Sequence, residues 1–173
     1  MSVLEILTIP NKILKQKSSE VLTFGKDLEK IVADMFETLY ASGNGIGLAA
    51  PQVGIKKRIV VIDLKEEGKS SPVTFINPKI ISHSKEKFIN EEGCLSIPGF
   101  YADVSRSNEV EVEWEDLNKK KNKKKLVGLM SICIQHEIDH LDGVLFIDYL
   151  SSLKKKRALE KVKKIKKNDE KTK

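Results

Sequence analysis

Residues 134–143 constrain the fold of this chain more than any other segment. They include two of the three histidines, His136 and His140, with Glu137 directly after the first. On an α-helix of 3.6 residues per turn, positions i and i+4 lie on one face, so both imidazoles can reach one cation. The neighbouring residues are largely apolar, and a buried polar group without a partner costs about 1–3 kcal/mol. The pattern therefore predicts a metal-binding helix over residues 129–141.

The spacing His-Glu-x-x-His is typical of metal-dependent hydrolases, and such a site needs a third protein ligand beside an open position for water. Cys94 is the best candidate, because a thiolate suits a borderline transition metal. Gly93 before it permits a close backbone approach or a positive φ. A small buried apolar role is the alternative for Cys94, and it fits Cys133 better. His83 lies in a polar stretch and is predicted to be solvent-exposed.

Length, cysteine content and charge limit the class of protein. The 173 residues suit one domain, and two cysteines make no disulfide framework, which favours a reducing compartment. The N-terminal residues lack the pattern of a signal peptide, and no apolar run approaches the ~20 residues of a membrane span. A cytoplasmic protein with no membrane partner is expected. The net charge of +6 is concentrated in residues 119–125 and 154–173, where a polyanionic partner and a solvated surface both remain open.

Hydrophobic periodicity predicts an α+β fold in a single domain, with several short antiparallel strands around the central metal-binding helix and a helix near each terminus. Asp27 is expected to cap the first helix. The predicted helices cover residues 27–40, 129–141 and 151–167. The predicted strands cover residues 58–63, 73–76, 79–81 and 109–115, the last paired in a hairpin with a lysine-rich strand that ends near residue 127. Residues 1–150 form the expected catalytic part, and residues 151–173 form a basic helical extension of the same domain.

The segment 45–52, GIGLAAPQ, is unusually rich in small residues. Its glycines suggest backbone that lies close to a ligand or to another strand. A dinucleotide-binding loop is disfavoured, because the third glycine and a preceding strand are both missing. Gln52 ends the segment and could present an amide N–H group.

Three segments together, GIGLAAPQ, EGCLS and QHEIDH, occur in the order and form typical of the peptide deformylase family, which this chain resembles along almost its whole length. The resemblance implies a hydrolase that removes the formyl group from the N-terminal formylmethionine of nascent polypeptides and releases formate. It implies one divalent metal held by Cys94, His136 and His140. Family members generally use Fe²⁺, and Zn²⁺, Ni²⁺ or Co²⁺ also suits these ligands.

The resemblance also implies roles for other residues. Glu137 acts as general base and then general acid, and Gln52 and the Leu95 N–H stabilise the oxyanion. Glu92 and Arg106 support the second motif. The residues expected to contact the formylmethionine are Gly45, Ile46, Gly47, Leu129, Ile132 and Cys133.

Two further features follow from the resemblance. Tyr101 stands where family members often carry arginine, which puts contacts to the peptide backbone in doubt. The long basic C-terminal helix resembles that of deformylases common in Gram-negative bacteria, where it contacts the ribosome near the exit tunnel. A monomer is expected.

Two alternative functions remain: a zinc peptidase with an ordinary His-Glu-x-x-His motif, and an RNA-binding module with a closed, four-ligand structural metal.

Overall fold

The computed structural model describes the whole chain, Met1–Lys173. Its helices are α1 (Lys26–Ala41), α2 (Gly128–Leu141) and α3 (Ser152–Lys171). Its strands are β1 (Gly47–Ala49), β2 (Ile59–Ile62), β3 (Val73–His83), β4 (Lys87–Cys94), β5 (Ile97–Ser107), β6 (Glu109–Glu115) and β7 (Lys121–Val127). Five strands form an antiparallel sheet in the order β1-β2-β3-β6-β7, and β4 and β5 form a separate hairpin. The predicted α+β class is confirmed.

Helix α1 begins earlier than the sequence pattern suggests. Its N-cap is Gly25, whose carbonyl accepts the Glu29 N–H, so the prediction of Asp27 as N-cap is wrong. Asp27 instead lies in the first turn, where its charge complements the helix dipole. The apolar stripe of α1 packs on one face of the sheet, as its periodicity predicted. The buried residues of this layer include Leu28, Val32, Met35, Leu39, Leu48, Ile59 and Val61.

Helix α2 packs on the opposite side of this sheet and lies in the centre of the molecule. Ile134, Ile138 and Leu141 are buried against strand residues that include Val60 and Phe75. This packing fixes the rotation of the helix about its axis, because its apolar face must meet the sheet. The ligand-bearing face of α2 is thereby directed toward the β4–β5 hairpin. No helix combines the length and apolar character needed to cross a bilayer.

The β4–β5 hairpin is the largest element that the sequence pattern did not predict. Strand β4 reads KFINEEGC, in which charged and apolar residues do not alternate regularly. The strand also contains a register shift between Glu92 and Cys94. Such irregular pairing removes the period-two signal on which a strand prediction depends.

Strand β3 joins two segments that the sequence predicted as separate strands. Asn77 adopts a positive φ of 50°, and the pairing with β6 shifts register between Ile76 and Lys79. The Asn77 side chain compensates for this break, because its amide donates to the Val21 carbonyl and its oxygen accepts the Val21 N–H. The chain therefore continues as one strand through a bulge.

The lysine-rich strand β7 pairs with a row of glutamates on β6, which confirms the predicted hairpin. Glu111 lies opposite Lys125 and Glu113 lies opposite Lys123. Lys123 Nζ approaches the carboxylates of Glu111 and Glu113 at 3.7 and 3.6 Å. Exposed pairs of this kind contribute little to stability. The lysines nevertheless protect the open edge of the sheet against pairing with other chains, because an edge strand lined with lysine resists strand addition.

Helix α3 is anchored in the body of the protein. Ala158 and Val162 are buried in a cluster with Ile97, Val104 and Phe146. The Ser151 side chain caps the helix by accepting the Lys154 N–H at 3.3 Å. The helix ends at Lys171, four residues beyond its predicted end.

Asp148 joins α3 to the N-terminal segment. Its carboxylate accepts hydrogen bonds from Lys15, Lys155 and the Leu145 N–H. Burial raises the pKa of Asp148, but these donors outweigh it and lower the pKa to about 2. A carboxyl whose pKa is depressed in the folded state contributes stability above its unfolded pKa, and loses it as pH falls.

Asp148→Asn is therefore expected to lower the free energy of unfolding by about 1 kcal/mol at pH 7, since both lysines are half-exposed and screened by water. The difference between variant and wild type should shrink as pH falls from about 4 toward 2. Urea denaturation at pH 7 and near pH 3 measures this. An equal difference at both pH values would contradict the proposed charge dependence.

Candidate metal centre and active site

Three side chains form a cluster able to hold a metal ion. The ligand atoms of Cys94, His136 and His140 lie within 4.8 Å of one another, and Cys94 Sγ is 3.2 Å from His140 Nε2. Helix α2 supplies both histidines, and the end of β4 supplies the cysteine. The register shift in β4 turns Cys94 toward α2 rather than along the regular pleat.

The orientation of His136 fits metal binding through Nε2. Its Nδ1 is hydrogen-bonded to Glu92 Oε1 at 2.8 Å, which leaves Nε2 free. A carboxylate on the second ring nitrogen is the usual arrangement for a metal-binding histidine. The two aspartates near the histidines in sequence have other partners: Asp139 binds Arg106, and Asp142 pairs with Arg58 at 2.8 Å. Two imidazoles and a thiolate are a donor set for a borderline divalent metal.

Glu137 is buried beside the cluster, only 4% exposed, and its Oε2 has no hydrogen-bond partner in the protein. Burial raises the pKa of its carboxyl to about 7, although the neighbouring charges of His136 and Arg106 act to lower it. A general base works best when its pKa lies near the working pH. The unpaired oxygen and this pKa suit Glu137 for exchanging a proton with a water or substrate group in the cavity.

Gly47 allows β1 to pass directly beside this carboxylate. A Cβ at position 47 would lie 2.7 Å from Glu137 Oε1 and 2.9 Å from Cys133 Sγ. Only glycine fits without displacing one of these groups. The close approach expected for this segment is present, and its neighbour is the candidate catalytic base.

Gln52 is 1% exposed and lies against the Cys94 side of the cluster. Its Oε1 accepts the Ala49 N–H at 2.9 Å, which fixes the orientation of the amide. Its Nε2 then points to Ser96 Oγ at 3.1 Å and to Cys94 Sγ at 3.5 Å. The predicted amide donor is therefore held at the ligand cluster.

A cavity of about 520 Å³ opens beside the cluster. All six residues predicted to contact the formylmethionine line it: Gly45, Ile46, Gly47, Leu129, Ile132 and Cys133. Burial raises the pKa of the Cys133 thiol well above its usual value, so Cys133 stays neutral and acts as apolar lining. His83 is exposed on β3, where its ring contacts Ser107 Oγ at 3.3 Å, in agreement with its predicted surface position.

The mouth of the cavity includes residues that sequence reasoning did not assign. Asn90, Glu91, Pro98, Gly99 and Tyr101 all come from the β4–β5 hairpin. Asn90, Glu91, Pro98 and Gly99 were missed because that hairpin was itself not predicted, whereas Tyr101 was recognised only as a position where the family often has arginine. Tyr101 lies on Gly93, where an added Cβ would come within 2.7 Å of the ring atom Cδ1. Gly93 has no positive φ, so a side chain at this position would meet the Tyr101 ring rather than strain the backbone.

A buried ion-pair network supports His136. Arg106 binds both oxygens of Glu92, with Nε and Nη2 each at 2.8 Å, and both side chains are 5% exposed. Burial raises the pKa of Glu92, but Arg106 and His136 lower it to about 2, so the carboxylate stays ionised. The two residues predicted to support the second motif thus form one unit with a candidate metal ligand.

A family model described as polypeptide deformylase matches residues 3–156, nearly the whole chain. The chain belongs to the peptide deformylase family. A peptide deformylase of Pelagibacter ubique is 50% identical over 169 residues, which cover 97% of this chain and 98% of that protein. One from Rhizobium meliloti is 46% identical, with 90% of this chain and 89% of the other covered.

Solved deformylase structures share this fold. The crystal structure of the Ehrlichia chaffeensis peptide deformylase in complex with actinonin aligns with a TM-score of 0.91 at 45% identity, covering 95% of this chain and 98% of that one. The Legionella pneumophila structure aligns with a TM-score of 0.91 at 39% identity, covering 97% and 98%. Peptide deformylases are metal-dependent hydrolases that remove the N-formyl group from nascent chains, and this is the activity of the chain.

Proposed function

We propose that this deformylase uses Cys94, His136 and His140 as metal ligands and Glu137 as its general base and acid. The observation that carries the proposal is the buried, unpaired Oε2 of Glu137 beside three converging ligand atoms. The uncommon combination of one thiolate and two imidazoles, beside an open cavity, argues against a closed structural site.

The metal we propose is Fe²⁺, and the same ligands suit Zn²⁺, Ni²⁺ or Co²⁺. When bound, such an ion supplies a Lewis acid that polarises the formyl oxygen and lowers the pKa of water toward ~7.

A free cysteine ligand needs a reducing environment, which supports a cytoplasmic location. The charged edge of β7 supports a monomer, which sedimentation analysis tests.

The protein residues carry the proton transfers. Glu137 Oε2 accepts a proton from water as the water oxygen attacks the formyl carbon. The Gln52 amide and the Leu95 N–H donate hydrogen bonds to the resulting oxyanion, an interaction whose loss typically costs ~3–4 kcal/mol in activation energy. Glu137 then returns the proton to the amine nitrogen as the C–N bond breaks, which leaves a free N-terminus and formic acid, and the acid loses its proton to solvent to give formate.

The cavity supports formylmethionine as the N-terminal residue of the substrate. Ile46, Leu129, Ile132 and Cys133 provide an apolar surface for an unbranched thioether side chain. Gly45 and Gly47 leave room for the substrate backbone along β1, in the manner of an added strand.

Purification without oxygen, followed by metal analysis and assays of matched formylated and unformylated methionyl peptides, tests this function. We expect formate release from the formylated peptide only, and loss of activity when the metal is removed. Cleavage of the unformylated peptide would indicate a peptidase instead. A metal held by four protein ligands would indicate a structural site.

We propose that the exposed lysines of α3 bind the ribosome. Deleting α3 is a poor test, because it removes Ala158 and Val162 from the core. Replacing Lys163, Lys164 and Lys167 with glutamate changes only exposed residues. We expect the affinity for ribosomes to fall at least tenfold at low salt, while cleavage of a short formyl peptide stays unchanged.

A matched triple variant on the β7 hairpin provides the control. Lys120, Lys121 and Lys124 are also exposed, and their replacement by glutamate changes the net charge equally. Equal loss of ribosome affinity in both variants would show a non-specific charge effect and refute the role of α3.

Tyr101 places an exposed aromatic ring at the cavity mouth, and we propose that it contacts residues downstream of the methionine. Tyr101→Ala is expected to raise KM several-fold for a formyl-Met tripeptide with leucine or phenylalanine downstream, with little change in kcat. The same assay with a glycine-containing tripeptide serves as the comparison. Equal changes for both substrates would remove Tyr101 from substrate recognition.

A further inference from the structure

A chain of contacts continues beyond Arg106 to a tyrosine outside the cavity. Arg106 Nη1 donates to Asp139 Oδ2 at 2.6 Å, and the Tyr149 hydroxyl donates to the same oxygen at 2.8 Å. Tyr149 belongs to the Phe146–Tyr149 turn, which follows α2 and precedes α3. None of the three sequence motifs includes this residue.

The tyrosine ring also covers Arg106. The guanidinium carbon lies 5.1 Å from the Tyr149 ring centroid, an arrangement suited to a cation–π contact. Arg106 is 5% exposed, while the Tyr149 ring itself faces solvent. An ion pair kept from water is stronger and better defined in geometry than an exposed one, so the ring matters to the network it covers.

A single series of hydrogen bonds connects Tyr149 to the candidate metal ligand His136. Glu92 binds His136 Nδ1, Arg106 holds both oxygens of Glu92, and Asp139 fixes the remaining arm of Arg106. Asp139 lies on α2 three residues after His136, so the network returns to the helix on which the ligand sits. Tyr149 closes it from outside.

The turn that carries Tyr149 is itself well anchored. The adjacent Asp148 binds Lys155 at the start of α3 and Lys15 near the N-terminus. Phe146, in the same turn, is 1% exposed, and its ring stacks near His136 with a centroid distance of 6.0 Å. The turn is therefore a fixed support against which Asp139 and Arg106 can be held.

We propose that Tyr149 is a positioning residue for the metal centre: its hydroxyl and ring hold Asp139 and Arg106, which through Glu92 keep His136 oriented for metal binding. Tyr149 touches neither metal nor substrate. Its loss should therefore speed metal release and lower kcat, and leave KM nearly unchanged. This inference rests on the proposed metal ligands.

The test measures Co²⁺ release from the full-length protein into excess chelator. Tyr149→Phe removes the hydroxyl and keeps the ring; Tyr149→Leu also uncovers Arg106. Loss of a residue that supports a metal ligand typically costs ~10–100-fold in metal affinity or activity. We expect release about tenfold faster for Tyr149→Phe and faster still for Tyr149→Leu, with kcat reduced in parallel.

Tyr40→Phe is the matched control. Its hydroxyl also donates to an aspartate, Asp63, at 2.9 Å, but it lies on α1 and does not line the cavity. We expect Tyr40→Phe to lower thermal stability yet release Co²⁺ at the wild-type rate. If Tyr149→Phe releases Co²⁺ at the wild-type rate, whatever its stability, the positioning role of Tyr149 is refuted and the metal centre is not. Failure of the wild-type protein to bind Co²⁺ would instead overturn the metal centre.

Discussion

Glu137→Gln is expected to lower kcat/KM for a formyl-Met peptide by ~10²–10⁴-fold, the usual contribution of general acid–base catalysis. The amide keeps the size of the carboxylate but cannot accept and return the proton. Because Glu137 lies beside the ligand cluster without being part of it, the variant should retain a full complement of metal. Steady-state kinetics and metal analysis of the same preparation measure both quantities.

Glu113→Gln controls for the loss of one negative charge, since Glu113 lies on the exposed β6–β7 hairpin. It should show wild-type kinetics and wild-type metal content. A metal-loaded Glu137→Gln protein with full activity would refute the assignment of the base.

Gly47→Ala is expected to reduce kcat/KM by ~10²-fold through geometry alone, because a misplacement of about 1 Å at a reacting group can have that effect. The new methyl group would lie 2.7 Å from Glu137 Oε1, so the carboxylate or β1 must move. Metal content should be unaffected, since none of the three ligands lies among the nearest neighbours of that methyl group. A crystal structure of the variant would show the displaced carboxylate.

Gly68→Ala separates this steric effect from ordinary glycine replacement. Gly68 has open space around it and a positive φ of 75°, so alanine there adds backbone strain without a contact. We expect a loss of about 1 kcal/mol in stability and no change in kinetics. Similar kinetic losses in both variants would mean that Gly47 acts through stability.

The parts of the fold that the sequence could predict are those with a regular period. Helix α1 shows a clean three-to-four-residue repeat and strand β6 a clean two-residue repeat, because each has one buried and one more exposed face. The β4–β5 hairpin shows no such repeat. Its residues line the cavity, and its pairing contains a register shift between Glu92 and Cys94. Strand β3 was predicted as two strands because Asn77, with its positive φ, interrupts the residue pattern, although the pairing with β6 continues beyond it.

The residues of the candidate site also differ in how far the sequence could predict them. The candidate ligands and base could be recognised because spacing on a helix and the chemistry of thiolate and imidazole restrict the options. The partner of His136 could not, because Glu92 is 44 residues away in sequence and reaches it only through the fold. Tyr149 was missed for the same reason: a single tyrosine in a largely apolar segment carries no local signal of the arginine it covers.

The packing of α3 on β5 has a consequence for how a nascent chain would reach this enzyme. Ile165 of α3 lies against Gly99, where an added Cβ would approach its Cδ1 at 2.6 Å, and Gly99 also lines the cavity. With Ala158 and Val162 in the core, the helix cannot swing like a tether. A surface that binds the exposed lysines of α3 would therefore also determine the angle at which the cavity faces the emerging polypeptide. If α3 binds the ribosome as proposed, this contact would also orient the cavity, and the enzyme would reach only nascent chains whose N-terminus had emerged far enough to enter it.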